Sequence, residues 1–101
     1  MKLHPKVAEL LGEVTALRRD LHRIPELGYQ ERDTQAYILK KLTALSPDHL
    51  ETIADTGVKA VFRAPGEPKP TTAFRADIDA LAIVEQTGAE FSSCHEGFMH
   101  A

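Results

Sequence analysis

Val58-Lys59-Ala60-Val61-Phe62-Arg63-Ala64, then Pro65-Gly66-Glu67-Pro68-Lys69-Pro70, then Thr71-Thr72-Ala73-Phe74-Arg75-Ala76 mark the place where the chain changes its period. In the first run Val58, Ala60 and Phe62 share one face and Val61 takes the other, the alternation of a half-buried strand. The Pro/Gly run is a polar turn of the kind that joins hairpin strands, and Thr71–Ala76 reads as a further strand ending in Asp77. Upstream, His49–Ala54 is a short strand and Asp55-Thr56-Gly57 a turn.

Before these strands the period is helical. Val7, Leu10, Leu11, Val14, Leu17 and Leu21 recur at helical spacing, with Lys6, Glu9, Glu13, Arg18 and Arg19 on the other face. Pro5 suits a first helical turn, and Pro25 disfavours helix at Ile24. A second helix is expected from Asp33 to Leu45, its stripe made by Tyr37, Ile38, Leu42 and Leu45, with Ser46-Pro47-Asp48 as its breaker. The expected fold class is therefore α/β: two helices, about three strands, and an irregular tail from Ala80 to Ala101. Two phenylalanines in a tail without a period make the chain read as part of a longer domain.

Composition narrows the function classes. The chain has 101 residues, 43% hydrophobic and 27% charged, which is ordinary globular usage and suits a single domain. A net charge of −3 and a pI near 5.9 remove the usual electrostatic case for nucleic acid or an anionic membrane. No apolar run approaches a membrane span, and no signal-peptide core follows Met1. The single cysteine, Cys94, can form no internal disulfide, so the expected compartment is a reducing cytoplasm.

Asp77 and Asp79 are the residues with most chemical promise. At i and i+2 of a strand they would face one way, and paired carboxylates suit a divalent metal or acid–base work. The simpler reading is a polar strand end carrying two solvated acids. Cys94, His95, Glu96 and His100 make a loose set of metal-ligand types without the Cys-x-x-Cys spacing of a structural zinc site. Arg18, Arg19, His22 and Arg23 complement a helix dipole, and Gly57, Gly66 and Gly88 are too isolated for a phosphate loop.

Three stretches carry a family resemblance. Leu17-Arg18-Arg19-Asp20-Leu21-His22-Arg23-Ile24-Pro25-Glu26-Leu27-Gly28-Tyr29-Gln30-Glu31 resembles the opening motif of metal-dependent amidohydrolases: hippurate hydrolases and N-acyl-amino-acid amidohydrolases, relatives of aminoacylase and the glutamate carboxypeptidases. Phe74-Arg75-Ala76-Asp77-Ile78-Asp79-Ala80-Leu81 with Glu85-Gln86-Thr87-Gly88 is the second match. Met99-His100-Ala101, which in that family runs into Cys-Gly-His-Asp, is the third. Two departures stand out: Ala82 replaces the family's usual proline, and Cys94 is not the motif cysteine.

The resemblance implies the N-terminal part, residues 1–101, of a single α/β catalytic domain whose remainder and whose lid or dimerisation domain are absent. It implies hydrolysis of amide bonds in N-acyl amino acids or similar small amides by an enzyme holding divalent metal, whether zinc, manganese, nickel or cobalt, and acting as a homodimer. By the same resemblance Asp79 orients a metal-binding histidine, Asp77 lies near the metals, and His100 belongs to the motif without being a ligand. These residues alone are expected to bind no metal tightly and to be inactive. A stand-alone interaction module is the alternative.

Overall fold

A computed structural model describes residues 2–101. Helix α1 spans Pro5–Glu9, with the His4 side chain accepting from the Lys6 N–H at 3.2 Å and Pro5 in the first turn. Helix α2 spans Leu11–Arg23 and α3 spans Arg32–Thr43. Strands β1 (His49–Ile53) and β2 (Gly57–Val61) form one antiparallel hairpin, His49 opposite Val61 and Ile53 opposite Gly57.

The single amphipathic helix read from Val7 to Leu21 is broken at Leu10, whose N–H turns back to the Val7 carbonyl at 3.1 Å. The reason is packing. Val7, Leu10, Leu11 and Val14 are all about half exposed, so no neighbouring surface holds the first turns in one line. Pro25 does end α2 as expected: Ile24 leaves helical geometry at φ −119°, ψ 51°.

The hairpin agrees with its pattern, with β2 ending at Val61 instead of Ala64. Its turn takes Ala54 and Asp55 through left-handed geometry (φ 49° and 68°), which matches the twist of the flanking strands. Arg32 holds both Asp55 carboxylate oxygens at 2.9 Å, and Gln35 donates to the Asp55 and Gly57 carbonyls at 3.0 and 3.1 Å. The start of α3 therefore fixes the hairpin turn. A Cβ on Gly57 would lie 2.8 Å from the Ile53 carbonyl oxygen, which is backbone and cannot swing away. Gly57→Ala should accordingly cost roughly 1–3 kcal/mol, read as a drop in the midpoint of denaturant unfolding.

The third strand does not form. Thr71–Ala76 pairs with no other described segment, and Phe74 is 96% exposed. Alternation makes a segment fit to be a strand, but a strand exists only through a partner's hydrogen bonds. Residues 65–67 bend as a turn should, yet they join no hairpin. Beyond them the only described ladder contact is an isolated antiparallel bridge between Leu81 and Met99.

The interior is small and polar. Ala80 is the one buried apolar residue of the aliphatic and aromatic set among the described residues, beside Pro25, His22, Glu31, Thr34 and Thr56. The accessible surface is 8107 Å², whereas a compact monomer of this mass exposes roughly 5,700 Å². Phe62, Phe74, Leu45, Leu81 and Val84 carry part of the excess, each more than half exposed. Much of the apolar surface that the sequence offers to a core is left open.

Candidate functional site

The end of α2 organises everything around it. A helix C-terminus leaves carbonyls without partners inside the helix, and here the carbonyls from Arg23 onward take donors from distant parts of the chain. The Arg23 carbonyl accepts from the Cys94 N–H at 2.8 Å, the Pro25 carbonyl from His95 Nδ1 at 2.8 Å, and the Glu26 carbonyl from the Ala80 N–H at 2.7 Å. The Glu26 carboxylate then reaches forward over the start of α3, accepting from the Asp33 and Thr34 N–H groups at 3.2 and 2.6 Å and from the Thr34 hydroxyl at 2.7 Å. Glu31, itself buried, accepts from the Thr56 hydroxyl at 2.6 Å and so ties in the hairpin.

The tail is irregular, as its sequence predicts, yet it is firmly attached. The buried His22 donates from Nε2 to Glu85 Oε1 at 2.9 Å, and Glu85 also accepts from the Ser93 N–H at 2.9 Å and from the Thr87 hydroxyl. Phe91 meets the His22 ring edge-on at 5.6 Å between centroids, with the Arg19 guanidinium 4.7 Å from its centre and Arg18 at 5.8 Å. Leu81 and Met99 exchange backbone hydrogen bonds of 2.9 and 3.0 Å, closing the loop between them. Two of the three motif stretches, read separately in the sequence, therefore converge on the third.

Asp77 and Asp79 behave differently from each other. The strand expected to carry both carboxylates is absent, yet the two side chains still border one groove. Asp77 pairs with Arg75 at 2.8 Å, and both side chains are largely exposed. Asp79 sits beside Gly28, where an added Cβ would rest 3.8 Å from its Oδ2. Both line an open groove of about 520 Å³ with Tyr29, Glu31, Ile38 and Val58. Asp77 also lines a second cavity of about 340 Å³ with Arg18, Leu21, His22, Thr34 and His100.

His100 is the imidazole that the fold brings to Asp79. Its Nε2 is buried with no hydrogen-bond partner among the described residues. Burial and then the neighbouring His22 push its pKa below the usual histidine value, while the Asp79 backbone and charge oppose them. Cys94 is exposed and His95 is turned to Pro25, so the loose metal-ligand set of the tail is not gathered at one point. Among the described residues no three His, Cys, Asp or Glu side chains are grouped to hold a metal ion.

Sequence reasoning left out His22, Glu26, Glu31 and Glu85 as a connected framework. For three of them the signal is a polar residue flanking an apolar stripe or a helix boundary: His22 next to Leu21, Glu26 after Pro25, and Glu31 just before α3; Glu85 lies in the tail without a period and carries none. No helix among the described residues is long and apolar enough to cross a membrane.

The carboxylates make this framework sensitive to acid. At Glu85 the Thr87 hydroxyl and then the Ser93 N–H bring the pKa down to about 2, against an opposing effect of burial. At Glu26 burial works upward, but the Thr34 and Asp33 hydrogen bonds outweigh it and the pKa is lowered. Both groups ionise more readily folded than unfolded, so their stabilisation is complete above the ordinary value of 4.5 and drains as pH falls below it, for Glu85 down to about 2. His100 adds an earlier loss: its folded pKa lies below 6.5, so the unfolded chain binds the proton first as pH drops through that value. Melting temperature against pH should fall in two stages, and Glu85→Gln should flatten the lower one.

No family model matches the chain. It is 48% identical over 93 residues to the N-acetyldiaminopimelate deacetylase of Bacillus cytotoxicus, covering 90% of this chain and 24% of that protein. It is 46% identical over 93 residues to the enzyme of the same name from Listeria monocytogenes, covering 91% of this chain and 25% of that protein. Among solved structures it superposes on a dinuclear metal-binding peptidase of the M20 family from Bacillus subtilis with a TM-score of 0.80 and 40% identity, over 88% of this chain and 25% of that one. The α/β arrangement seen here thus matches part of an M20 peptidase. The chain is similar to part of these deacetylases and of an M20 peptidase, and spans about a quarter of their length.

Proposed function

We propose that this chain supplies one part of the catalytic domain of a metal-dependent hydrolase that cleaves the amide bond of N-acyl amino acids, with N-acetylated diamino acids as the leading substrate class. The observation that carries the reading is the identity of 48% with a deacetylase over nine-tenths of the chain. The meeting of all three motif stretches at the Asp79 corner supports it. In this reading Asp79 holds a metal-binding histidine of the whole enzyme in one tautomer and orientation, which raises that ring's basicity. Asp77, held by Arg75, contributes negative charge to the same groove. The whole enzyme is read as a cytoplasmic homodimer using zinc, manganese, nickel or cobalt. Among the described residues no three His, Cys, Asp or Glu side chains are grouped to hold such an ion by themselves.

A hybrid tests the proposal. The 93 matched residues of the Bacillus cytotoxicus deacetylase are replaced by this chain, and acetate release from N-acetyldiaminopimelate is measured with manganese or zinc supplied. Release by the hybrid, and none by the 101-residue chain alone, is the expected result. A folded, metal-loaded hybrid that releases no acetate, beside an active parent, would sink the enzyme reading. It would favour an interaction module using the exposed Phe62 and Phe74.

A further inference from the structure

The histidine of the first motif has a position that the proposed chemistry does not use. His22 is 8% exposed, on the last turn of α2, and its one described hydrogen bond goes to Glu85, 63 residues away. Glu85 spends its remaining capacity on the Ser93 N–H and the Thr87 hydroxyl, two points of the loop that Leu81 and Met99 close. On its other side His22 lines the 340 Å³ cavity with His100 and Asp77. The His22 ring is thus the one buried side chain that touches both the loop carboxylate and the cavity holding the motif imidazole.

We propose that His22 is a positioning residue. It fixes the 81–99 loop through Glu85 and thereby sets His100 against Asp79. The inference rests on the hydrolase reading only for what that placement is used for; the placement itself is a property of this chain. An ionised carboxylate can only accept, so the tie needs a donor at residue 22. The backbone bonds from Cys94 to Arg23 and from Ala80 to Glu26, with the His95 ring on the Pro25 carbonyl, hold residues 80, 94 and 95 near the end of α2 without choosing the conformation of the stretch between 80 and 94. That choice falls to Glu85, which collects a donor from α2, one from Ser93 and one from Thr87.

The test uses the 101-residue chain and amide hydrogen exchange followed by NMR, so it does not depend on any catalytic activity. Reporters are the Leu81, Ser93 and Met99 amides, with the β1–β2 ladder as reference. His22→Ala and Glu85→Ala should each speed exchange at the three reporters by about ten-fold or more, as loss of a hydrogen bond to a charged group implies. The hairpin should be unaffected, and the double variant should be no worse than either single one. His22→Gln, which keeps an N–H donor, should restore protection and return the His100 ring resonances toward their original positions. The proposal is overturned if the reporters are unprotected in the unaltered chain or stay protected in His22→Ala. It is equally overturned if glutamine fails to rescue, or if the hairpin opens as far as the loop. None of these outcomes bears on whether the hybrid hydrolyses an amide, so the two readings fail separately.

Discussion

On the proposed hydrolase reading, Asp79→Asn in the hybrid deacetylase should lower amide hydrolysis by about 10–100-fold, the usual cost of removing a carboxylate that orients a metal-binding histidine. The substitution keeps shape and one acceptor but removes charge. Asp79 is exposed and its neighbours are the Gly28 backbone and the His100 ring, so stability should change by no more than about 0.5 kcal/mol. Without the carboxylate, burial and His22 act on His100 with less opposition, and its pKa should move further below 6.5. The His100 ring resonances followed against pH report that movement. Asp77→Asn is the internal comparison: its partner Arg75 is 87% exposed, and such surface pairs are worth about 0–1 kcal/mol. Ile78→Ala controls for packing. Ile78 is half-buried between the two cavities, less enclosed than a strand interior, so roughly 1–2 kcal/mol of stability should go with little specific loss of rate. An Asp79→Asn hybrid that binds metal fully and turns over at the parent rate would remove Asp79 from the chemistry.

How far the fold was legible depended on how local its causes were. Helix α3 and the hairpin answer to causes within a few residues: the stripe of Ile38 and Leu42, the breaker Ser46-Pro47, and the turn at Asp55. They came out within one or two residues of expectation, apart from the shorter β2. The strand at Thr71–Ala76 answers to a partner, and the pattern of one segment says nothing about whether another will lie beside it. The break at Leu10 has the same origin, since only a packed neighbour could have held Val7 and Val14 in one straight helix. At the site, Asp77 and Asp79 were legible as residue types at a suggestive spacing. Their different partners were not, because Arg75 takes the Asp77 carboxylate while His100 stands beside Asp79. The His22–Glu85 tie joins residues 63 apart through a loop without any period, and no window of sequence holds both ends.

Glu26 is where the framework should be most easily broken. Its side chain caps α3 by accepting three hydrogen bonds, from the N–H groups of Asp33 and Thr34 and from the Thr34 hydroxyl, while its carbonyl holds the Ala80 N–H. Negative charge at a helix N-terminus is favourable in itself, and here it also satisfies Thr34, which is only 1% exposed. Glu26→Ala leaves that buried hydroxyl and its N–H without an acceptor, and the cost of stranded donors plus a lost cap comes to about 2–4 kcal/mol. Glu26→Gln keeps an acceptor oxygen and should lose only about half of this. The loss should appear first as fraying at the start of α3, and it should spread to the hairpin turn, because Arg32 and Gln35 hold Asp55 from that same turn of helix. Hydrogen exchange would show Thr34 and Gln35 opening before the middle of α3. If Glu26→Ala instead unfolds no earlier in urea than the parent chain, the cap carries no stability, and the link from the first motif through α3 to the hairpin is only a contact.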